Sequence, residues 1–187
     1  MKEMMAKQEE EMKKQRAEMK KQKAIEIGEL RKTGQIEKQE QEILAYFAAK
    51  KITNYKKVGG TYVVVKEKGT GAPAANGKFV RVKYAGRVLE TDSVFQANEY
   101  TFPLGDGEVI QGWDEGIPEF NKGGKGTLFI PGYLAYGSDP GPANKPYAAL
   151  IFEVEVLNVS DTREAAEREK MISDSIAATA KTTQKPK

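Results

Sequence analysis
From Gly60 to Ser160 apolar and polar residues alternate in short runs, whereas ahead of Gly60 apolar residues recur at helical spacing. The run Lys78–Leu89 is the clearest strand, with Val80, Val82 and Tyr84 on one face and Arg81 and Lys83 on the other. Tyr62–Val65, Gly126–Ile130 and Leu150–Leu157 read the same way, and Val94-Phe95 and Tyr100-Thr101-Phe102 as shorter pieces. Gly69–Pro73, Asn121–Gly124 and the long Pro131–Pro146 stretch are loops. Amid the strands stands Leu104–Gly116, which holds the only tryptophan, Trp113. Gly112 and Gly116 limit it to one short helix, beginning near Ile110 and ending by Pro118. Strands on both sides of a single helix make an α+β pattern. The indole is either a plug for the core or the floor of a site.

Met1–Lys23 consists almost wholly of good helix formers, with Met5, Met12 and Met19 at heptad spacing and Gln8, Gln15 and Gln22 beside them. A Met/Gln seam is thin for a coiled coil, so two readings stand: a solvated helix, or self-association. Gly28 and Thr33-Gly34 interrupt this pattern, and a second helix is expected over Gln35–Lys50. Its Ile36, Ile43, Leu44 and Phe47 share a face that needs a partner helix or subunit to cover it. Ile52–Val58 reads as a linker. Asp161 with Glu164 resembles a capping box for a last charged helix reaching toward Ala178, and Thr182–Lys187 is expected to be disordered. The chain thus divides into a helical arm (1–58), a body (59–160) and a charged C-terminal segment (161–187).

The charge balance of 30 Lys+Arg against 27 Asp+Glu gives a net +3, too even to argue for nucleic acid. Without cysteine or histidine there is no thiol nucleophile, no imidazole base and no imidazole metal ligand. No run is apolar enough for a transmembrane segment, and no secretory signal core stands at the start. The expected compartment is cytoplasmic if the chain is complete, and periplasmic or cell-envelope if a signal was removed.

Gly124-Lys125-Gly126-Thr127 fails as a phosphate-binding loop, since Ser or Thr does not follow the lysine and Glu119 stands where glycine is needed. Gly105-Asp106-Gly107 lacks the third glycine of a dinucleotide site. Asp114-Glu115 could form an acid/base pair, but adjacent acids on a helix diverge, which favours a solvated face. What remains is apolar and aromatic: Tyr84, Phe95, Tyr100, Phe102, Val109, Ile110, Trp113, Tyr136 and Phe152. Such a set suits a small apolar ring held among a few polar groups.

Val82–Gly86, Phe95, Leu104–Gly116, Ile130–Gly137 and Leu150–Leu157 together resemble the FKBP-type peptidyl-prolyl cis-trans isomerases, in the family's order and over roughly Gly60–Ser160. The helices ahead of the body look like those of the extended bacterial members, whose N-terminal region dimerises and cradles client chains. The resemblance implies an antiparallel sheet curled around the Trp113 helix, with the cleft between helix and sheet. It implies Trp113 as the floor under the proline ring, with Tyr84, Phe95, Tyr100, Val109 and Phe152 as walls. Phe102 and Glu108 join Tyr100 and Val109 as substrate-binding positions. The Ile110 N–H and the Tyr136 hydroxyl would each hold a substrate carbonyl.

Rotating a peptide bond crosses about 18–20 kcal/mol. A dry aromatic pocket favours the twisted, less polar amide over the planar one, with no covalent step, cofactor or metal. Three departures stand out. Gln96 replaces the family's usual Asp after Phe95, no arginine matches that Asp's usual partner, and Ala143 and Asn144 replace larger aliphatics. Reduced isomerase activity and weak macrolide binding are therefore expected. The partners expected are Pro-containing polypeptides and a second copy joined through the N-terminal helices, with a weakly catalytic chaperone-like module as the alternative function.

Overall fold
Strand β3 is the hinge of the architecture, because it pairs on one side with an edge and on the other with the sheet's interior. In chain order the elements are α1 (Lys2–Lys32), α2 (Gln35–Lys50), β1 (Lys56–Val58), β2 (Thr61–Glu67), β3 (Phe79–Val88), β4 (Val94–Pro103), α3 (Gln111–Gly116), β5 (Lys125–Ile130) and β6 (Leu150–Ser160). The computed structural model describes residues 2–168. The strands form one antiparallel sheet ordered β1-β2-β5-β6-β3-β4, curled around α3. The fold is α+β, as expected.

Alternation sorts the strands into two faces. Val63, Val80, Val82, Leu128, Ile130, Leu150, Phe152, Val154 and Val156 form the inner core with Trp113 and Ile117. Tyr62, Val64, Phe129 and Ile151 form a second cluster on the other face, and Ile43 and Phe47 of α2 cover it. Of the α2 face expected to need another helix or subunit, Ile43 and Phe47 are therefore covered by the chain's own sheet, Ile36 joins the inner core against which Ile27 and Leu30 of α1 pack, and Leu44 stays exposed.

Other boundaries also move. Gly28 does not interrupt α1, which runs to Lys32 because Ile27 and Leu30, on either side of it, pack on the core. The break comes at Gly34, whose left-handed φ of 72° starts α2. Lys56–Val58 is an edge strand paired with β2, not a linker. The two short pieces around Gln96–Glu99 join into the single strand β4, held in register by β3. At the C-terminus Thr162, not Asp161, caps the last helical turns, its Oγ1 accepting from the Ala165 N–H at 3.2 Å. Asp161 instead pairs with Lys78. The expected extension toward Ala178 and the tail Thr182–Lys187 lie outside the described residues.

Candidate active site
Two glycines set the depth of the indole. A Cβ on Gly112 would lie 2.5 Å from Ile130 Cγ2, and one on Gly116 would lie 2.7 Å from Leu128 Cδ2. Their absence lets α3 lie directly on β5, so both residues serve close packing as well as helix length. Trp113 is thereby lowered among the rings of the inner sheet face. Its ring centroid is 5.0 Å from Tyr84 at 79° and 5.3 Å from Phe152 at 88°. Phe95 closes the group, 5.8 Å from Phe152 at 84°. These edge-to-face contacts suit the opposed charges of ring edge and ring face.

A β-bulge builds the fourth wall. Gly86 pairs with Gln96 and Arg87 with Val94, which leaves Phe95 as the extra residue. Such a bulge re-aims a side chain, and here it sends Phe95 back onto Phe152. The register places exposed Gln96 beside Phe95, opposite Gly86 on the same face as Phe152.

Burial grades outward from this box. Trp113 is 4% and Phe152 3% exposed, Tyr84, Phe95, Val109 and Ile110 are half-buried, and Tyr100 and Tyr136 stand at 42% and 41%. The result is a hydrophobic floor under a rim of half-covered and open aromatic edges. Burial pushes the phenols of Tyr84 and Tyr136 above their ordinary value, and Tyr136 adds to the shift at Tyr84. Both therefore remain hydrogen-bond donors at neutral pH. Ile110 is the N-cap of α3, its carbonyl accepting from Trp113 N–H at 3.0 Å. Its own N–H, and the buried Nε1–H of Trp113, have no acceptor among the described residues.

Two positions differ from expectation. Phe102 has no exposed surface and packs behind Trp113 at 5.5 Å, so it supports the indole and touches nothing outside. The Glu108 carboxylate is occupied from three sides: by Arg16 at 3.2 Å, by Arg163 at 3.1 and 3.2 Å, and by the Tyr100 hydroxyl at 2.7 Å. It organises the rim.

Asp114 and Glu115 are not a solvated face either. Asp114 accepts the N–H groups of Gly105 at 2.8 Å and Gly107 at 3.1 Å, and burial raises its carboxyl while those donors oppose the shift. Glu115 accepts from Thr61 Oγ1 at 3.0 Å and Gly60 N–H at 3.3 Å. Each pins a loop to α3. The loop after β5 is held from α2, where buried Gln39 accepts the Tyr133 N–H at 2.8 Å. Arg16 and Arg163 carry no apolar periodicity, whereas Gln39 falls on the buried face of α2 between Ile36 and Ile43. For Arg16 the available signal was complementary charge between basic α1 and acidic Asp106–Glu115.

A family model described as FKBP-type peptidyl-prolyl cis-trans isomerase matches residues 71–157, which include every ring of the box. The FK506-binding protein of Neisseria meningitidis serogroup B is 40% identical over 108 residues, 54% of this chain and 98% of that protein. FK506-binding protein 4 of Neurospora crassa is 40% identical over 114 residues, 59% of this chain and 24% of the fungal one. The chain thus spans about a quarter of that fungal relative's length. Among solved structures, a peptidyl-prolyl cis-trans isomerase from Pseudomonas syringae pv. tomato has a TM-score of 0.56 at 28% identity, covering 66% of this chain and 95% of its own. FkpA from Escherichia coli has the same score and identity, with 73% of this chain and 70% of its own covered. With 40% identity along nearly the whole Neisseria protein, the chain belongs to the FKBP-type peptidyl-prolyl cis-trans isomerase family.

Proposed function
We propose that this chain is a peptidyl-prolyl cis-trans isomerase that accelerates rotation about Xaa-Pro bonds in polypeptide substrates. The observation that carries the reading is the aromatic box: a buried indole at 5.0–5.3 Å from Tyr84 and Phe152, under a rim of partly open rings. A proline ring entering from the rim meets Trp113 as floor and Tyr84, Phe95, Tyr100, Val109 and Phe152 as walls. The free Ile110 N–H takes one substrate carbonyl and the Tyr136 hydroxyl a second, which fixes the chain on both sides of the rotating bond.

The chemistry follows from polarity. Twisting the amide breaks its resonance and shrinks its dipole, so a poorly hydrated pocket disfavours the planar ground state more than the twisted one. Each tenfold in rate requires about 1.4 kcal/mol of that difference. Gln96 stands next to Phe95 without a charge, which supports lower activity than an acid at the same place would give.

Helices α1 and α2 serve as a dimerisation and client-holding region, and the body from β1 to β6 as the isomerase. Dimerisation is supported by the exposed Met5 and Met12, on the part of α1 that lies ahead of its first polar tie to the body at Arg16. Because Trp113 is the only tryptophan, its fluorescence reports occupancy of the box directly. Adding a short Xaa-Pro peptide should shift and saturate that emission, whereas the same peptide with alanine for proline should not. Equal responses to both peptides would defeat the reading.

A further inference from the structure
Four side chains of α1 at i, i+4, i+7 and i+10 face the body: Arg16, Lys20, Lys23 and Glu26. The first two hold the loop that leads into α3. Arg16 donates to Asp106 at 2.9 Å and to Glu108 at 3.2 Å, and Lys20 donates to the Gly105 carbonyl at 2.7 Å. The other two hold the loop between β5 and β6. Lys23 donates to the Ala135 carbonyl at 3.2 Å, and Glu26 accepts the Tyr147 hydroxyl at 2.7 Å. Glu108 lies just before Val109 and Ile110, and Ala135 immediately precedes Tyr136. One rigid helix therefore bridges the two loops that carry the carbonyl-holding groups, across about 15 Å of helix length.

The ties are the main grip on this stretch. No residue of α1 is fully buried, Ile27 and Leu30 supply its apolar contact at the far end, and a crevice of about 780 Å³ separates the Arg16–Ile27 segment from the body. Loops have many nearby conformations and a helix few, so tying both loops to one helix removes their independent motion. We infer that Arg16, Lys20, Lys23 and Glu26 are positioning residues for isomerisation, holding Ile110 and Tyr136 at a fixed separation across the box. The inference rests on the functional reading above and adds that the arm, docked on its own body, is part of the catalytic apparatus.

The test uses the full chain with Arg16→Met and Lys23→Met, each cutting the tie to one loop, and Lys23→Arg as the conservative control. Line-shape NMR on an Xaa-Pro peptide gives kcat and KM separately, and amide hydrogen exchange reports residues 105–110 and 135–147. Either methionine variant should lower kcat roughly three- to tenfold with KM nearly unchanged, because geometry is lost and pocket contacts are kept. Exchange should speed up in the loop that was cut loose, and Lys23→Arg should restore both readouts. A parent chain that is active, with both methionine variants matching its kcat, overturns this inference alone. A parent that leaves the peptide at its uncatalysed rate overturns the functional reading and this inference with it.

Discussion

Gly86 on β3 and Phe152 on β6 are register partners, and the missing side chain of one makes room for the ring of the other. A Cβ at Gly86 would fall 2.5 Å from Phe95 Cζ and 2.9 Å from Phe152 Cε1, so the box exists in its present shape only because this position is bare. Gly86→Ala should cost about 1–3 kcal/mol of stability through overpacking. It should also displace both rings, so that activity falls further than stability alone explains. Chemical denaturation alongside a rate measurement on the still-folded variant checks this, and normal activity in Gly86→Ala would speak against a tightly fitted box.

Glu108 is the meeting point of the two ends of the chain. Arg16 arrives from α1 and Arg163 from the C-terminal segment, and Tyr100 completes the cluster. The carboxylate is largely buried while both arginines keep some exposure, so the pairs are partly screened. Glu108→Gln should destabilise the protein by about 1–2 kcal/mol, with the difference shrinking in high salt. Thermal melts at low and high ionic strength measure it directly.

Alkaline pH should loosen the fold through its buried phenols. Burial first, and then the Glu40 carboxylate, push Tyr133 well above the ordinary 10.0. Below that value folded and unfolded chains both keep the proton and stability is unaffected. Above it the unfolded chain releases the proton that the folded one retains, so stability falls as pH rises toward the folded value. Urea unfolding should therefore show a slope beginning near pH 10, and Tyr133→Phe should flatten that slope. The variant also loses the 3.2 Å bond to Glu40, so the comparison is of slopes and not of absolute stability.

Gln96→Asp places a charge next to Phe95 and opposite Gly86, at the edge of the box. If the neutral side chain limits the rate, the acid should raise kcat/KM roughly two- to tenfold with little change in stability, because the position is exposed. Exchange spectroscopy on the same peptide reads the gain.

Much of the body was legible because its order is periodic. Alternation marked Val80, Val82 and Tyr84 as one face, and the glycines around Trp113 marked a short helix. The cover on Ile43 and Phe47 was not legible, since an amphipathic face says that it is buried but not by what. Asp114 and Glu115 diverge as expected, but the expected solvated face failed because their partners are backbone N–H groups and a hydroxyl brought near only by the fold. Arg163 is invisible for the same reason, and Arg16 shows only as part of a basic helix: polar ties between distant segments leave no period. Phe102 and Tyr100 share a face of β4 and stack at 6.0 Å, yet only the depth of the core separates the buried ring from the exposed one.

The central claim is that a ring-lined box over Trp113 turns an Xaa-Pro bond with no acid, base or ion. NMR exchange spectroscopy on a short Xaa-Pro peptide, with the parent chain and its Trp113→Ala and Tyr136→Phe variants, tests it most directly. The parent should accelerate cis-trans exchange well above its spontaneous pace of roughly tens to hundreds of seconds. Trp113→Ala should lose at least about tenfold of that rate, and Tyr136→Phe a smaller share. Exchange at the spontaneous pace with the folded parent, or an unimpaired Trp113→Ala, would contradict the claim.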